Sequence, residues 1–112
     1  MNASQFGLPA RTVAKIRGVF ASHPQIAKAI LYGSRAKGSH RHGSDIDLTL
    51  MGEALDYHEL LDIMGALDDL LLPYTIDLSI FDQLDHPNLR EHIQRVGVVF
   101  YERTADDGSQ AG

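Results

Sequence analysis

The chain has 112 residues, 44% of them apolar and 22% charged, with a formal net charge of −5. That is the size and composition of one soluble globular domain with one modest core. The acidic balance argues against nucleic acid as a direct partner, because a polyanion groove shows as a basic stripe or a basic total. Cysteine is absent, which excludes disulfides, thiolate metal sites and cysteine nucleophiles. Neither the opening MNASQFGLPARTV nor any later run has the apolar length of a signal peptide or a membrane span. A cytoplasmic location without membrane attachment is therefore expected.

In chain order, residues 8–22 read as a helix, with Pro9 in its first turn and Val13, Ile16, Val19 and Phe20 at helical spacing. His23-Pro24 ends it. The apolar run 26–32 (IAKAILY) reads as a buried strand closing at Gly33. GSRAKGSHRHGS (33–44) is a glycine-, serine- and cation-rich loop in which a short helix can begin at Ser34. DIDLTLM (45–51) alternates strictly, setting Ile46, Leu48 and Leu50 on one face and Asp45, Asp47 and Thr49 on the other.

The period returns to helical over 56–72, where Leu60, Met64, Leu67 and Leu71 form a stripe widened by Ile63 and Leu70, expected to be core; Pro73 ends this helix. TIDLSIF (75–81) alternates again, with Ile76, Leu78 and Ile80 opposite Asp77 and Ser79. A helix over 88–95 after Pro87 and a last strand VVFY (98–101) complete an α-β-α-β-α-β-α-β order. That order predicts a single α/β domain with one mixed β-sheet flanked by helices. The polar tail from 103 to 112 is expected to be disordered.

Two strands thus carry three acids on their polar faces. Asp45 and Asp47 are one residue apart and project roughly 6–7 Å from one another along the strand, and Asp77 lies on a second strand. If the strands are neighbours, the three carboxylates converge. A divalent cation would relieve their repulsion, and oxygen ligands select a hard ion such as Mg²⁺. Two such ions about 3.5–4 Å apart can clamp the oxygens of a phosphoryl displacement. Gly33 and Ser34 add backbone N–H groups at a turn suited to an anion, with Arg35 and Lys37 supplying positive charge nearby. Gly33 to Gly38 also matches the first half of a P-loop, but Ser39-His40 stands where that loop needs Lys and Ser or Thr. His40 and His42 read as solvated loop histidines rather than metal ligands. Tyr32 and Tyr101 read as packing at strand ends.

Gly33-Ser34-Arg35-Ala36-Lys37-Gly38 followed by Ser44-Asp45-Ile46-Asp47-Leu48 resembles the signature of the DNA polymerase β-like nucleotidyltransferase superfamily: Gly-Ser, about ten residues, then Asp-x-Asp. The likeness is nearest to the minimal nucleotidyltransferases, or MNT proteins, and runs from about residue 10 to residue 102, including HPNLREHIQRVGVVFYE (86–102). The resemblance implies a nucleotidyltransferase domain over residues 1–102. By that resemblance Asp45 and Asp47 ligate two Mg²⁺ ions, and Asp77 completes the site and helps activate the acceptor hydroxyl. Gly33 and Ser34 hold the triphosphate, with Arg35, Lys37 and Ser44 beside it. It also implies ATP as donor and AMP transfer to an acceptor hydroxyl. MNT proteins pair with HEPN-domain toxins in toxin–antitoxin systems, so a hetero-oligomer and a tyrosine acceptor on the toxin are expected. Two alternatives stand beside this one. The chain could be a non-catalytic antitoxin acting by complex formation, or an adenylyltransferase for a small molecule such as an aminoglycoside.

Overall fold

The computed structural model describes residues 6–38 and 45–103. The elements follow the order α1 (Ala10–Ala21), β1 (Lys28–Tyr32), α2 (Ser34–Lys37), β2 (Ile46–Met51), α3 (Tyr57–Asp68), β3 (Ile76–Ile80), α4 (Pro87–Val96) and β4 (Val98–Glu102). A 3-10 turn at Phe81–Gln83 joins β3 to the approach of α4. The four strands form one mixed sheet in the order β3-β2-β1-β4. β1 runs antiparallel to both β2 and β4, while β2 and β3 are parallel and joined by the α3 crossover.

The alternation in the strands decides which face is buried. Ala29, Leu31, Ile46, Leu48, Leu50, Leu78 and Ile80 all turn to one side. There they meet Val13, Ile16 and Phe20 of α1, Leu60, Ile63 and Leu67 of α3, and Phe100 of β4. Fully burying an aliphatic or aromatic side chain contributes about 1.5–3 kcal/mol, so this two-layer contact is the main stabilising element. The opposite face is covered at one end only, where Ile93 of α4 and Phe81 pack on Ile30, with Met51 and Leu89 at the margin. Tyr32 packs against that cluster as well, on the same face as Asp47 and Asp77.

Local signals account for the boundaries. Asp56 caps α3, its Oδ1 accepting from the Glu59 N–H at 2.8 Å, and His86 Nδ1 accepts from the Leu89 N–H at 3.3 Å ahead of Pro87 at the start of α4. Pro9 proves to be the cap of α1 rather than part of its first turn, its carbonyl accepting from the Thr12 and Val13 N–H groups.

The expected helix over 56–72 is shorter in the structure. α3 stops at Asp68, and the chain turns through Leu70 and Leu71. Asp68 and Asp69 place negative charge at the negative end of the helix dipole, and Pro73 disfavours helical geometry at the residue before it. The stripe expected to be core also divides. Leu60, Ile63 and Leu67 are buried, whereas Met64 is 40% and Leu71 88% exposed.

Arginines fasten the layers together. Arg17 Nε donates to the Phe100 carbonyl at 2.8 Å and Arg90 Nη1 to the Phe81 carbonyl at 2.8 Å, each guanidinium lying over the ring of the same residue. Arg103 Nη2 donates to the Ala21 carbonyl at 3.0 Å, and its Nε to that of Ile26 at 3.3 Å. No helix among the described residues is long and apolar enough to cross a membrane. The expected tail lies outside the described residues from position 104 onward, as do His40, His42 and Ser44.

Candidate active site

The polar faces of three strands meet beside the turn that follows β1. In the parallel β2–β3 pair Asp47 stands opposite Asp77, and in the antiparallel β1–β2 pair Asp47 stands opposite Tyr32. Residues opposite one another in neighbouring strands have Cβ atoms about 4.5–5.5 Å apart. The two carboxylates and the phenol therefore share one patch. Asp45 immediately precedes β2 and is exposed.

Directly after Tyr32, Gly33 takes φ +82° and ψ −156°, a conformation open essentially to glycine alone. A Cβ built there would collide with Oδ2 of Asp47. Glycine is required at this point twice over, for the backbone angle and for the close passage of the turn over the carboxylate. α2 follows at once, with the Lys37 N–H donating to the Gly33 carbonyl at 3.2 Å. Gly38, at φ +79°, terminates it.

Burial pushes the Asp47 carboxyl above the usual carboxylate range, and the charges of Asp77 and Asp45 push it further the same way. Burial likewise raises the Tyr32 phenol; its hydrogen bond with Ser79 acts in the opposite sense, and Asp77 and Asp47 raise it again. Beneath the acids lies a polar floor. Ser79 Oγ donates to Thr49 Oγ1 at 2.9 Å, and Thr49 is fully buried. The sequence sets Thr49 and Ser79 on the polar strand faces without marking them as site residues, and Tyr32 reads there as packing at a strand end. Strand parity extended to β1 would have found Tyr32, since it closes a strand one residue before Gly33.

The residues fit a hard divalent cation. All donors are carboxylate oxygens, Asp47 is disfavoured as an anion by its two neighbours, and a positive ion would remove that penalty. Among the described residues, no three His, Cys, Asp or Glu side chains are already closed around a common point.

Arg35 is buried at 3% exposure, its Nη1 donating to the Phe6 carbonyl at 2.8 Å and its guanidinium lying 5.3 Å from the centre of the Tyr74 ring. It thus anchors α2 from within the fold, its charge held beside the turn. Lys37, exposed on the last turn of α2, and Ser34 remain positioned at the turn. Ser44 lies outside the described residues.

The description Polymerase beta, Nucleotidyltransferase, matches residues 14–106, and the chain belongs to that family. No curated protein sequence matches it. Solved structures share the fold. A toxin–antitoxin crystal structure with AMP-PNP has TM-score 0.66 and 22% identity over 88% of this chain and 80% of that one. A tri-AMPylated HEPN toxin from Shewanella oneidensis in complex with MNT antitoxin gives TM-score 0.61 and 19% identity over 90% and 78%. A nucleotidyltransferase assigned in Sulfolobus solfataricus gives 0.52 and 20% over 81% and 78%.

Proposed function

We propose that this chain transfers AMP from ATP to an acceptor hydroxyl, and that the acceptor is a tyrosine of a HEPN-type toxin for which the chain serves as antitoxin. The observation that carries the chemistry is the pairing of Asp47 with Asp77 across β2 and β3, directly beside the Gly33 turn. Membership of the nucleotidyltransferase family supports the reaction class. The antitoxin role draws on the toxin–antitoxin complexes that share the fold.

In this reading Asp45, Asp47 and Asp77 hold two Mg²⁺ ions, which when bound neutralise triphosphate charge and align it for displacement. Gly33 lets the backbone reach the phosphates without a Cβ in the way, and Ser34 presents its hydroxyl and N–H there. Lys37 adds positive charge at the same turn. Asp77, the exposed partner of the pair, is placed to take the proton of the acceptor hydroxyl. Tyr32, Thr49 and Ser79, joined by hydrogen bonds through Ser79, form the polar strand surface next to the acids.

Intact-mass spectrometry tests the proposal. The chain, ATP and Mg²⁺ are incubated with a HEPN-type partner, in parallel with an Asp45→Asn, Asp47→Asn double variant. Mass gains of one or more AMP units on the partner, absent with the variant, are expected. An unmodified partner under conditions where ATP binds would refute the transfer reaction and leave a binding role.

A further inference from the structure

A groove lies beside the carboxylate patch. It has a volume of about 700 Å³ and lies between the C-terminal half of α3 and the connection into β3. Met64, Leu67, Leu71, Leu72, Tyr74 and Ile76 line it, with Asp68 at its edge. Outward from it, α3 exposes Tyr57, Leu61 and Met64, spaced so that they follow one side of the helix.

Leu71 is the residue that asks for an explanation. It holds φ +55° at a place after a helix where glycine is the usual occupant, and its side chain is 88% exposed. A leucine there is disfavoured by its backbone and gains nothing from burial within the chain. Strain of this kind marks functional positions more often than packing ones.

The charge around the groove indicates what fits it. From Asp45 to Leu89 the sequence has eleven acids and no lysine or arginine. Asp62, Asp68 and Asp69 are exposed on or just beyond α3. The chain's own segments 1–5, 39–44 and 104–112 contain no Leu, Ile, Val or Phe to fill an apolar groove. An apolar lining with Asp68 in it and Asp69 next in sequence complements a helix that is apolar on one side and basic along its flanks; Arg35, over the lining Tyr74, is buried and turned to the Phe6 carbonyl.

We propose that this groove docks an amphipathic, lysine- or arginine-flanked helix of a partner protein, with Leu71 as the projecting contact. The groove also borders the site. Ile76 precedes Asp77, the Thr75 carbonyl accepts from the Ile46 N–H, and Tyr74 lies against Arg35 of α2. A partner seated there stands at the acceptor side of the carboxylates. Delivery of an acceptor hydroxyl to Asp77 rests on the transferase reading; the docking does not.

The test uses the full chain and two fluorescent synthetic peptides of about 18 residues, long enough for a helix. One is an amphipathic Leu/Lys sequence; the other has Glu in place of Lys. Anisotropy titrations are run with wild type, Leu71→Gly and the double variant Asp68→Lys, Asp69→Lys. Leu71→Gly relieves the positive φ and is expected to keep its Tm within about 3 °C of wild type. The Lys peptide should bind at least about tenfold tighter than the Glu peptide. Leu71→Gly should weaken it about tenfold, and the charge reversal should invert the preference.

Binding untouched by Leu71→Gly would mean only diffuse attraction to an acidic protein and would overturn the proposal, as would no binding at all. Self-association in sedimentation that Leu71→Gly abolishes would also overturn it, by assigning the groove to a second copy. Thermal stabilisation by ATP with Mg²⁺ is measured on the same variants. If it persists while docking fails, the docking idea alone is wrong; if docking holds but a HEPN-type partner gains no AMP in the mass-spectrometric test above, the transferase reading is wrong.

Discussion

Replacing Gly33 by alanine tests whether the turn must pass directly over the carboxylate. The backbone there, at φ +82° and ψ −156°, costs a residue with a side chain about 1–3 kcal/mol. Alanine also reduces the freedom of the unfolded chain, which offsets about 0.4–1 kcal/mol. A net loss of roughly 1–2 kcal/mol remains, or a fall in Tm of about 5–15 °C. The function should suffer more than the fold. The new Cβ meets Oδ2 of Asp47, the far end of a side chain that can swing away, so the clash is relieved by displacing the carboxylate. Misplacement by about 1 Å typically costs about a hundredfold in rate.

Gly38→Ala is the matched control. Gly38 has a similar φ of +79°, but a Cβ there meets no described atom within 4 Å. Its loss should stay within about 1 kcal/mol and leave transfer nearly intact. Thermal denaturation and AMP-transfer rates of both variants decide the matter. Equal loss of activity in the two, or a Gly33→Ala protein with wild-type activity, would refute the idea that this close approach positions Asp47.

Three further outcomes are expected. Asp47→Asn removes repulsion with Asp77 and Asp45, so in EDTA its Tm should equal or exceed that of wild type by an amount on the scale of a half-exposed charge pair, about 0.5–1 kcal/mol. Added Mg²⁺ should then raise the Tm of wild type and not that of the variant, as read by differential scanning fluorimetry. Thr49→Val leaves the Ser79 hydroxyl without its acceptor and should lower unfolding free energy in urea by about 1–3 kcal/mol, with transfer reduced less than by any loss of an acid. Arg35→Met and Lys37→Ala should separate structure from binding. The first should cost about 2–3 kcal/mol of stability through the lost charged hydrogen bond and ring contact; the second should leave Tm unchanged and weaken ATP binding in calorimetry.

The sequence made the elements and their faces plain because two periods dominate it. Alternation in 45–51 and 75–81 assigned Asp47 and Asp77 to polar faces, and that assignment needs nothing beyond local geometry. Which strands are neighbours is a non-local fact, and alternation is silent on it. Only the fold places β2 between β1 and β3 and sets Asp47 opposite both Tyr32 and Asp77. Tyr32 reads as mere packing for this reason, since its place beside the acids exists only across the strand pair. The burial of Arg35 is hidden for another. A cation in a glycine- and serine-rich loop looks solvated, but the short α2 turns it inward onto Phe6 and Tyr74. The early end of α3 was hidden because its apolar spacing continues past Asp68, with Leu71 completing a pattern that the backbone abandons.

β3 forms the border of the sheet, bonded to β2 and to no other strand. A border strand is held by ladder hydrogen bonds on one side alone, here over five residues. Asp77 travels with it. The electrostatic conflict between Asp47 and Asp77 thus lies across the contact that holds this border strand, so a ligand bound to both carboxylates also fastens the strand to the sheet. Occupancy of the site and protection of the β3 amides from exchange are consequently linked, and a ligand at the carboxylates is expected to slow exchange there.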